Sequence, residues 1–196
     1  MALVLDAAAQ DLLFRQARTA GTFTDEPVSD ETVKAVYDLV KYAPTAFNQS
    51  PLRVVLVRSE EGRRRLVQHM ADGNKAKTEA APLTAVLAAD LEFHEELPRL
   101  FPHFPQAKDV FFSEAQAREK SSTFNGAIQV GYFIVGIRAA GLAAGPMTGF
   151  DADALNKEFF GDGKHKVLAV VNIGKPGPDA FPRSPRLEYD EVVTTV

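Results

Sequence analysis

The chain carries few conventional catalytic groups. Its four histidines are His69, His94, His103 and His165, and it has no cysteine. Without Cys there can be no disulfide, thiolate nucleophile, iron–sulfur cluster or sulfur-ligated zinc. His94-Glu95-Glu96 hints at a metal-binding helix, but Pro98 stands where a second His would be needed. These read as exposed polar residues, and no metal site is expected. Arg63-Arg64-Arg65 could collect phosphate or RNA, yet the formal charge of the whole chain is −4. A solvated helical face is the simpler reading, with neither nucleic acid nor membrane as a partner. Gly141, Gly145 and Gly149 are spaced by four, but no strand precedes the first. The dinucleotide fingerprint, the phosphate loop and G-x-S-x-G are all absent. What remains is amides, cations and a glycine-rich loop, each with an ordinary explanation when taken alone. Asn48 before Ser50-Pro51 suits a turn, Lys77 a solvated lysine, Gly149 a turn ahead of Asp151, and Arg186 the surface of a Pro-rich tail.

The elements that would carry these residues can be read from pattern. With 196 residues and 45% hydrophobic composition, the chain suits a single domain with one well-buried core. Residues 2–18 have helical composition, and Asp6 and Asp11 argue against a secretion signal, so a cytoplasmic location is expected. Ser29 is a candidate N-cap for a helix whose Val33, Val36, Tyr37 and Val40 form one apolar stripe ending before Pro44. Residues 53–58, 83–89 and 167–173 read as strands covered on both faces. A helix from Glu60 to Met70 turns Leu66, Val67 and Met70 inward. Residues 91–118, broken by Pro98, Pro102 and Pro105, read as a helical, partly mobile excursion. The longest helix is placed at Ser122–Ala140, with Phe124, Ala127, Ile128, Gly131, Ile134 and Val135 on its core face. It is apolar on its other faces too, which suits a central helix or one packed on a partner subunit. Gly141 ends it, LAAGPMTGF follows as a tight loop, Asp151 caps a short helix to Phe160, and 176–196 forms an extended arm. No segment reaches the roughly 20 apolar residues of a membrane helix. The interleaving favours α/β or α+β.

One segment differs in kind. APTAFNQSPLRVVLV, Ala43 to Val57, resembles the A-P-S-x-x-N-x-Q-P-W stretch of the flavin-dependent nitroreductase family, after an early helix and before the first buried strand. Three more blocks agree in order and spacing: FTDEPVSDET (23–32), GNKAK (73–77) and NGAIQVGYFIVGIRAAGLAAGPMTGF (125–150). Arg186-Leu187 and Glu191-Val192 close the pattern, which spans about Phe14 to Val192. Within the family the chain looks most similar to the malonic semialdehyde reductase subgroup. That likeness rests on the GNxxKT-type block, on Leu97–His103 and on Gly141–Asp151.

The resemblance implies an α+β fold around a mixed central sheet flanked by helices, an intertwined homodimer, and FMN bound where the subunits meet. It implies ping-pong hydride transfer from NADPH or NADH through flavin N5 to a small electrophile, with no protein residue catalytic in its own right. The acceptor would be malonic semialdehyde, giving 3-hydroxypropanoate. The alternatives are a general nitroaromatic or quinone reductase, or a flavin-binding protein with little turnover. Arg18, Thr19 and Arg186 would meet the phosphate, with Arg183 nearby. Ala17 and Gly21 stand where typical members carry further cations. Lys77, Asn74 and Asn48 would face the pyrimidine edge, and Ser50 stands where many members have Gln. Pro146, Thr148 and Gly149 would bring main chain to N5. Arg53, Lys108 and Arg118 are the candidates for a substrate carboxylate, and Phe111 and Phe112 could roof the flavin.

Overall fold

The computed structural model describes residues 3–178 and 182–196. Four strands, β1 (Leu52–Val57), β2 (Leu83–Asp90), β3 (Ala143–Met147) and β4 (His165–Gly174), form one sheet in the order β1-β2-β4-β3. All three pairings are antiparallel. The mixed character expected for the sheet is confined to one parallel bridge, Thr19 to Ala144. The fold is α+β.

Side-chain alternation on β2 explains the two-layered core. Leu83, Ala85 and Leu87 face one way and pack with α2 (Asp30–Val40) and α7 (Ala115–Ala139) through Val36, Val40, Phe133 and Ile137. Val86 and Ala88 face the other way, toward Leu66 at the end of α3 (Glu60–Val67), Met70, and Leu155 of α8 (Ala152–Phe159). Both faces are covered, so the strand is almost wholly apolar, with Thr84 as its buried polar residue. The edge strand β1 departs from that expectation: most of it is only half-buried and Val54 is exposed, because no strand lies beyond it.

Local caps explain several boundaries. Asp6 Oδ1 accepts from Ala9 N at 2.7 Å, so the first helix begins at α1 (Ala7–Gln10) and continues as a π-helical turn, Asp11–Arg15. The helical span anticipated from residue 2 onward is therefore shorter, and residue 2 itself lies outside the described residues. Ser29 Oγ accepts from Thr32 N at 3.2 Å and Asp151 Oδ1 from Ala154 N at 3.0 Å, capping α2 and α8 as expected. Tyr37, placed on the buried stripe of α2, is instead exposed. A helix the pattern did not assign, α4 (Asp72–Ala80), carries the GNKAK block.

Within residues 91–118 the helical residues come in short pieces separated by turns. A 3-10 turn at Phe93–Glu96, α5 (Leu97–Leu100) and α6 (Ala107–Phe111) close over Phe93, Leu97, Ala107 and Phe112. LAAGPMTGF is not simply a loop, since Ala143–Met147 pairs with β4 as an edge strand, where Pro146 costs no central ladder bond. The described part of the tail pairs with Phe23 at Pro176 and closes in α9 (Tyr189–Val192), and the part of the anticipated arm at 179–181 lies outside the described residues.

The largest revision concerns α7. It begins seven residues earlier than expected, and its buried side is Ser122, Asn125, Gly126, Gln129, Phe133, Gly136 and Ile137. Of the six residues assigned to its core face, Phe124, Ala127 and Gly131 are exposed and Ile128, Ile134 and Val135 half-buried. Close approach is the reason. A Cβ on Gly136 would lie 2.3 Å from Val40 Cγ1, and one on Gly126 would lie 2.9 Å from Leu168 Cδ1. Small residues sit where the approach is closest, beside the buried Phe133 and Ile137, while Phe124 and Tyr132 are left outside. No helix among the described residues is long and apolar enough to cross a membrane.

Gly136→Ala tests this seating. Alanine returns about 1 kcal/mol of helix propensity, but overpacking against the stiff valines of α2 costs about 1–3 kcal/mol. The expected outcome in a urea melt is a lower midpoint at unchanged slope.

Candidate functional site

Two groups of site residues emerge, on opposite edges of the sheet. The first lies at the start of β1. Between Thr45 and Leu52 the backbone takes two successive left-handed residues, Phe47 at φ 55° and Asn48 at φ 51°. Non-glycine residues pay for this conformation, and surrounding bonds must hold it. Asn125 Oδ1 accepts from Ala46 N at 2.9 Å, and Gln129 Oε1 accepts from Leu52 N at 2.9 Å. Gln49, almost fully buried, donates through Nε2 to Ser121 Oγ at 2.9 Å. The α7 side chains thus hold the loop at both ends and in the middle. Asn48 donates to the Leu100 carbonyl at 2.8 Å, and Ser50 Oγ accepts from Gln129 Nε2 at 3.4 Å.

The second group lies along β3. Asn74 and Lys77 are three apart on α4 and so share one face of it. Asn74 Nδ2 donates to the Gly149 carbonyl at 2.9 Å, and Ala71 N donates to the same oxygen at 3.0 Å. The bridge between Met70 and Phe150 and the bond from Asp151 N to His69 O (2.8 Å) complete this seam. Asn172, fully buried on β4 opposite Gly145, donates to the Lys77 carbonyl at 3.1 Å and accepts from Thr84 Oγ1 at 2.9 Å. One amide therefore fixes α4 relative to the sheet. Lys77 is half-buried, with no carboxylate within 4 Å among the described residues. Pro146 is half-buried on β3, and Thr148, just past it, is exposed.

Beyond the start of β3 lies a cavity of about 560 Å³. Arg18, Thr19, Arg138, Arg183, Ser184 and Arg186 line it together with Ala17 and Gly21, and none of its described lining residues is acidic. Its walls are built by strand-like exchange among three distant segments. Ala20 N donates to Ala144 O (3.0 Å), Thr24 N to Lys175 O (3.1 Å) and Gly177 N to Thr22 O (3.0 Å). Gly145 permits this approach: a Cβ there would sit 2.6 Å from the Ala20 carbonyl. Arg183 donates to the Arg15 and Ala17 carbonyls, and Arg186 to those of Ser184 and Pro185 at 3.0 Å.

The structure thus brings Arg18, Thr19 and Arg186 to one cavity and Asn74, Lys77 and Gly149 to one seam, with Pro146 and Thr148 beside it. Asn48 and Ser50 are elsewhere. They stand at the β1 edge, three strand spacings or about 14 Å from β3. Asn125, which holds their loop, is thirteen residues before Arg138 on α7, or about 20 Å along the helix axis. Asn48 is therefore not beside Asn74 within one chain. The three candidates for a substrate carboxylate are all paired: Arg53 with Asp90 at 2.6 Å, Lys108 with Glu95 at 2.9 Å and Arg118 with Glu92 at 3.6 Å. Hydrogen bonding to Glu95 raises the Lys108 ammonium above its ordinary value and lowers the Glu95 carboxyl. Phe112 is buried in the small core of the excursion, whereas Phe111 is exposed and packs at 5.1 Å on the Phe47 ring. Pattern reading passed over Gln49, Asn125, Gln129, Arg138 and Asn172. The available signal was a polar residue inside an apolar run, which Gln129 and Asn172 both show.

The model of the Nitroreductase family matches residues 14–175. The chain belongs to the nitroreductase family. A Streptomyces griseus relative with the provisional name NADH dehydrogenase/NAD(P)H nitroreductase is 73% identical, with all of both chains covered. A Polynucleobacter asymbioticus protein of the same provisional name is 46% identical, with 97% of each chain covered. Among solved structures, a nitroreductase assignment from Bacillus subtilis superposes with TM-score 0.88 at 23% identity, covering 97% of this chain and 100% of that one. A family structure from Exiguobacterium sibiricum in complex with FMN gives TM-score 0.85 at 19% identity, with 98% of each chain covered. At these identities the structures establish the shared nitroreductase-like fold.

The seam around Gly149 predicts a coupled pair of substitutions. A Cβ on Gly149 would meet Asn74 Nδ2 at 2.7 Å, so Gly149→Ala should destabilise alone by about 1–3 kcal/mol. Adding Asn74→Ala removes the obstructing amide, and the double variant should recover part of the loss in a double-mutant melting cycle.

Proposed function

We propose that the protein is an FMN-dependent NAD(P)H oxidoreductase whose complete site needs two copies of the chain. The observation that carries this reading is the division of the expected flavin contacts into two half-sites on opposite edges of the sheet. The half-sites have the right chemistry. Arg18, Thr19, Arg183 and Arg186 line a cavity without a described acidic residue, which suits a phosphate carrying nearly two negative charges. The Asn74–Lys77 face and the Thr148–Gly149 turn, joined at 2.9 Å, offer an amide, an ammonium and exposed main chain to a flat heterocycle. FMN, when bound, supplies the atom that takes hydride from NAD(P)H and passes it on. The residues bind and orient the ring, and Lys77 places a fixed cation where reduction adds negative charge.

A twofold pairing would set the Asn48–Ser50 loop of one copy against the Asn74–Lys77 face of the other. The outer face of α7 supports it: Phe124 is 67% exposed and Tyr132 44%, an unusual load of exposed aromatics for one helix. Two acceptor classes remain. The pairing of Arg53, Lys108 and Arg118 with carboxylates leaves no free cation among them for a substrate carboxylate, and Phe104 and Phe111 present exposed rings. That combination favours a flat aromatic or quinone acceptor. Malonic semialdehyde is the second reading, supported by the sequence resemblance at Leu97–His103 and Gly141–Asp151. Localisation in the cytoplasm and one domain across the chain, with 91–118 beside the substrate, belong to the same proposal.

Purified protein should take up FMN, bleach anaerobically with NADPH or NADH, and recolour on addition of acceptor. A higher kcat/KM for a nitroaromatic or quinone than for malonic semialdehyde supports the first acceptor class, and the reverse order the second. Lys77→Ala should weaken FMN binding by about 1.5–3 kcal/mol or less. Selective loss from the reduced form would lower the two-electron potential by about 30–60 mV. Sedimentation should give a dimer at micromolar concentration, and Phe124→Asp should shift it toward monomer.

A further inference from the structure

Arg138 has no assigned role, and its surroundings are unusual. It projects from the last turn of α7 into the lining of the arginine-rich cavity. Nη1 donates to the Leu13 carbonyl at 3.1 Å, whereas Nε is buried with no hydrogen-bond partner. No carboxylate lies within 4 Å of it among the described residues. Asp11, which lines the adjoining cavity, pairs instead with Arg15 at 3.7 Å. Burial, and then the nearby Arg183 charge, push the Arg138 guanidinium below its ordinary value. An arginine still keeps its charge at neutral pH. A half-buried charge near another of the same sign, with one buried donor unmet, is favoured by an anion that joins both.

We propose that Arg138 is a ligand of the flavin phosphate, supplying from α7 the charge that Ala17 and Gly21 do not supply from the N-terminal segment. The assignment rests on the flavin reading above. The planar fork matches phosphate geometry, and the single bond to Leu13 leaves most of its donors for that purpose. The alternative, a purely structural tie between α7 and the π-helical turn, would use only the Leu13 bond and would not distinguish one flavin from another.

Riboflavin carries the same ring as FMN without the phosphate, so the two flavins separate these roles. Flavin-free protein is titrated with each by fluorescence quenching. Arg138→Gln should weaken FMN binding about 10–100-fold, the equivalent of one charge-assisted bond, and leave riboflavin within about twofold. Arg138→Lys, which keeps charge but loses the fork, should fall between. Inorganic phosphate should raise the melting temperature of the flavin-free wild type more than that of Arg138→Gln. Unchanged FMN affinity in Arg138→Gln, or equal losses for both flavins, would overturn the assignment of Arg138 while the flavin reading stands. A wild-type protein that binds neither flavin would overturn that reading, and this assignment with it.

Discussion

The seating of one helix organises this molecule. At Gly126 and Gly136, α7 lies so close to the sheet and to α2 that even a methyl group would push a neighbouring side chain aside. That approach brings Asn125 and Gln129 within bonding distance of the loop ahead of β1, and carries Arg138 to the arginine-rich cavity at the other end. Both half-sites are thus referenced to one rigid rod rather than to each other. A 25-residue helix spans roughly 37 Å, long enough to serve two places that never touch.

A second buried amide plays a matching part from the sheet. Asn172 sits opposite Gly145 on β3, bonds Thr84 across to β2 and holds the backbone of α4 beneath Lys77. Its position couples the strand that would approach a ring to the helix that would face the ring's edge. Buried amides with every partner in place favour one geometry over its neighbours, because any shift leaves a donor or acceptor unmet. The peripheral ion pairs at Lys108 and Arg99 are exposed and screened, and contribute far less definition.

Much of this was legible in the sequence, and the failures share a cause. Ser29 and Asp151 marked their helices because a cap is a local bond between near neighbours. The 83–89 and 167–173 runs announced buried strands because both faces are covered. By contrast, the apolar pattern turns the wrong side of α7 inward. Hydrophobicity ranks Phe124 above Gly126 and Asn125, whereas the contact demanded small size and hydrogen bonding. The Asn48 loop and the Asn74 helix were each recognised by resemblance, but a string of residues carries no sign that they stand at opposite sheet edges. Arg138 looked like an ordinary cation at a helix end. Its meaning depends on Arg183, forty-five positions later, and on a missing charge at Ala17.

The paired left-handed residues Phe47 and Asn48 carry a consequence for how this protein tolerates change. Their backbone is costly, by about 1–3 kcal/mol each, and is maintained by side chains belonging to a helix some 75 residues downstream. Such a loop has no autonomy. It is a borrowed shape, and its fidelity is set in the interior rather than at the surface. Lesions at Gln49, Asn125 or Gln129 would therefore distort the exposed Asn48 turn while lying behind it, and a map of sensitivity drawn from the surface alone would miss them.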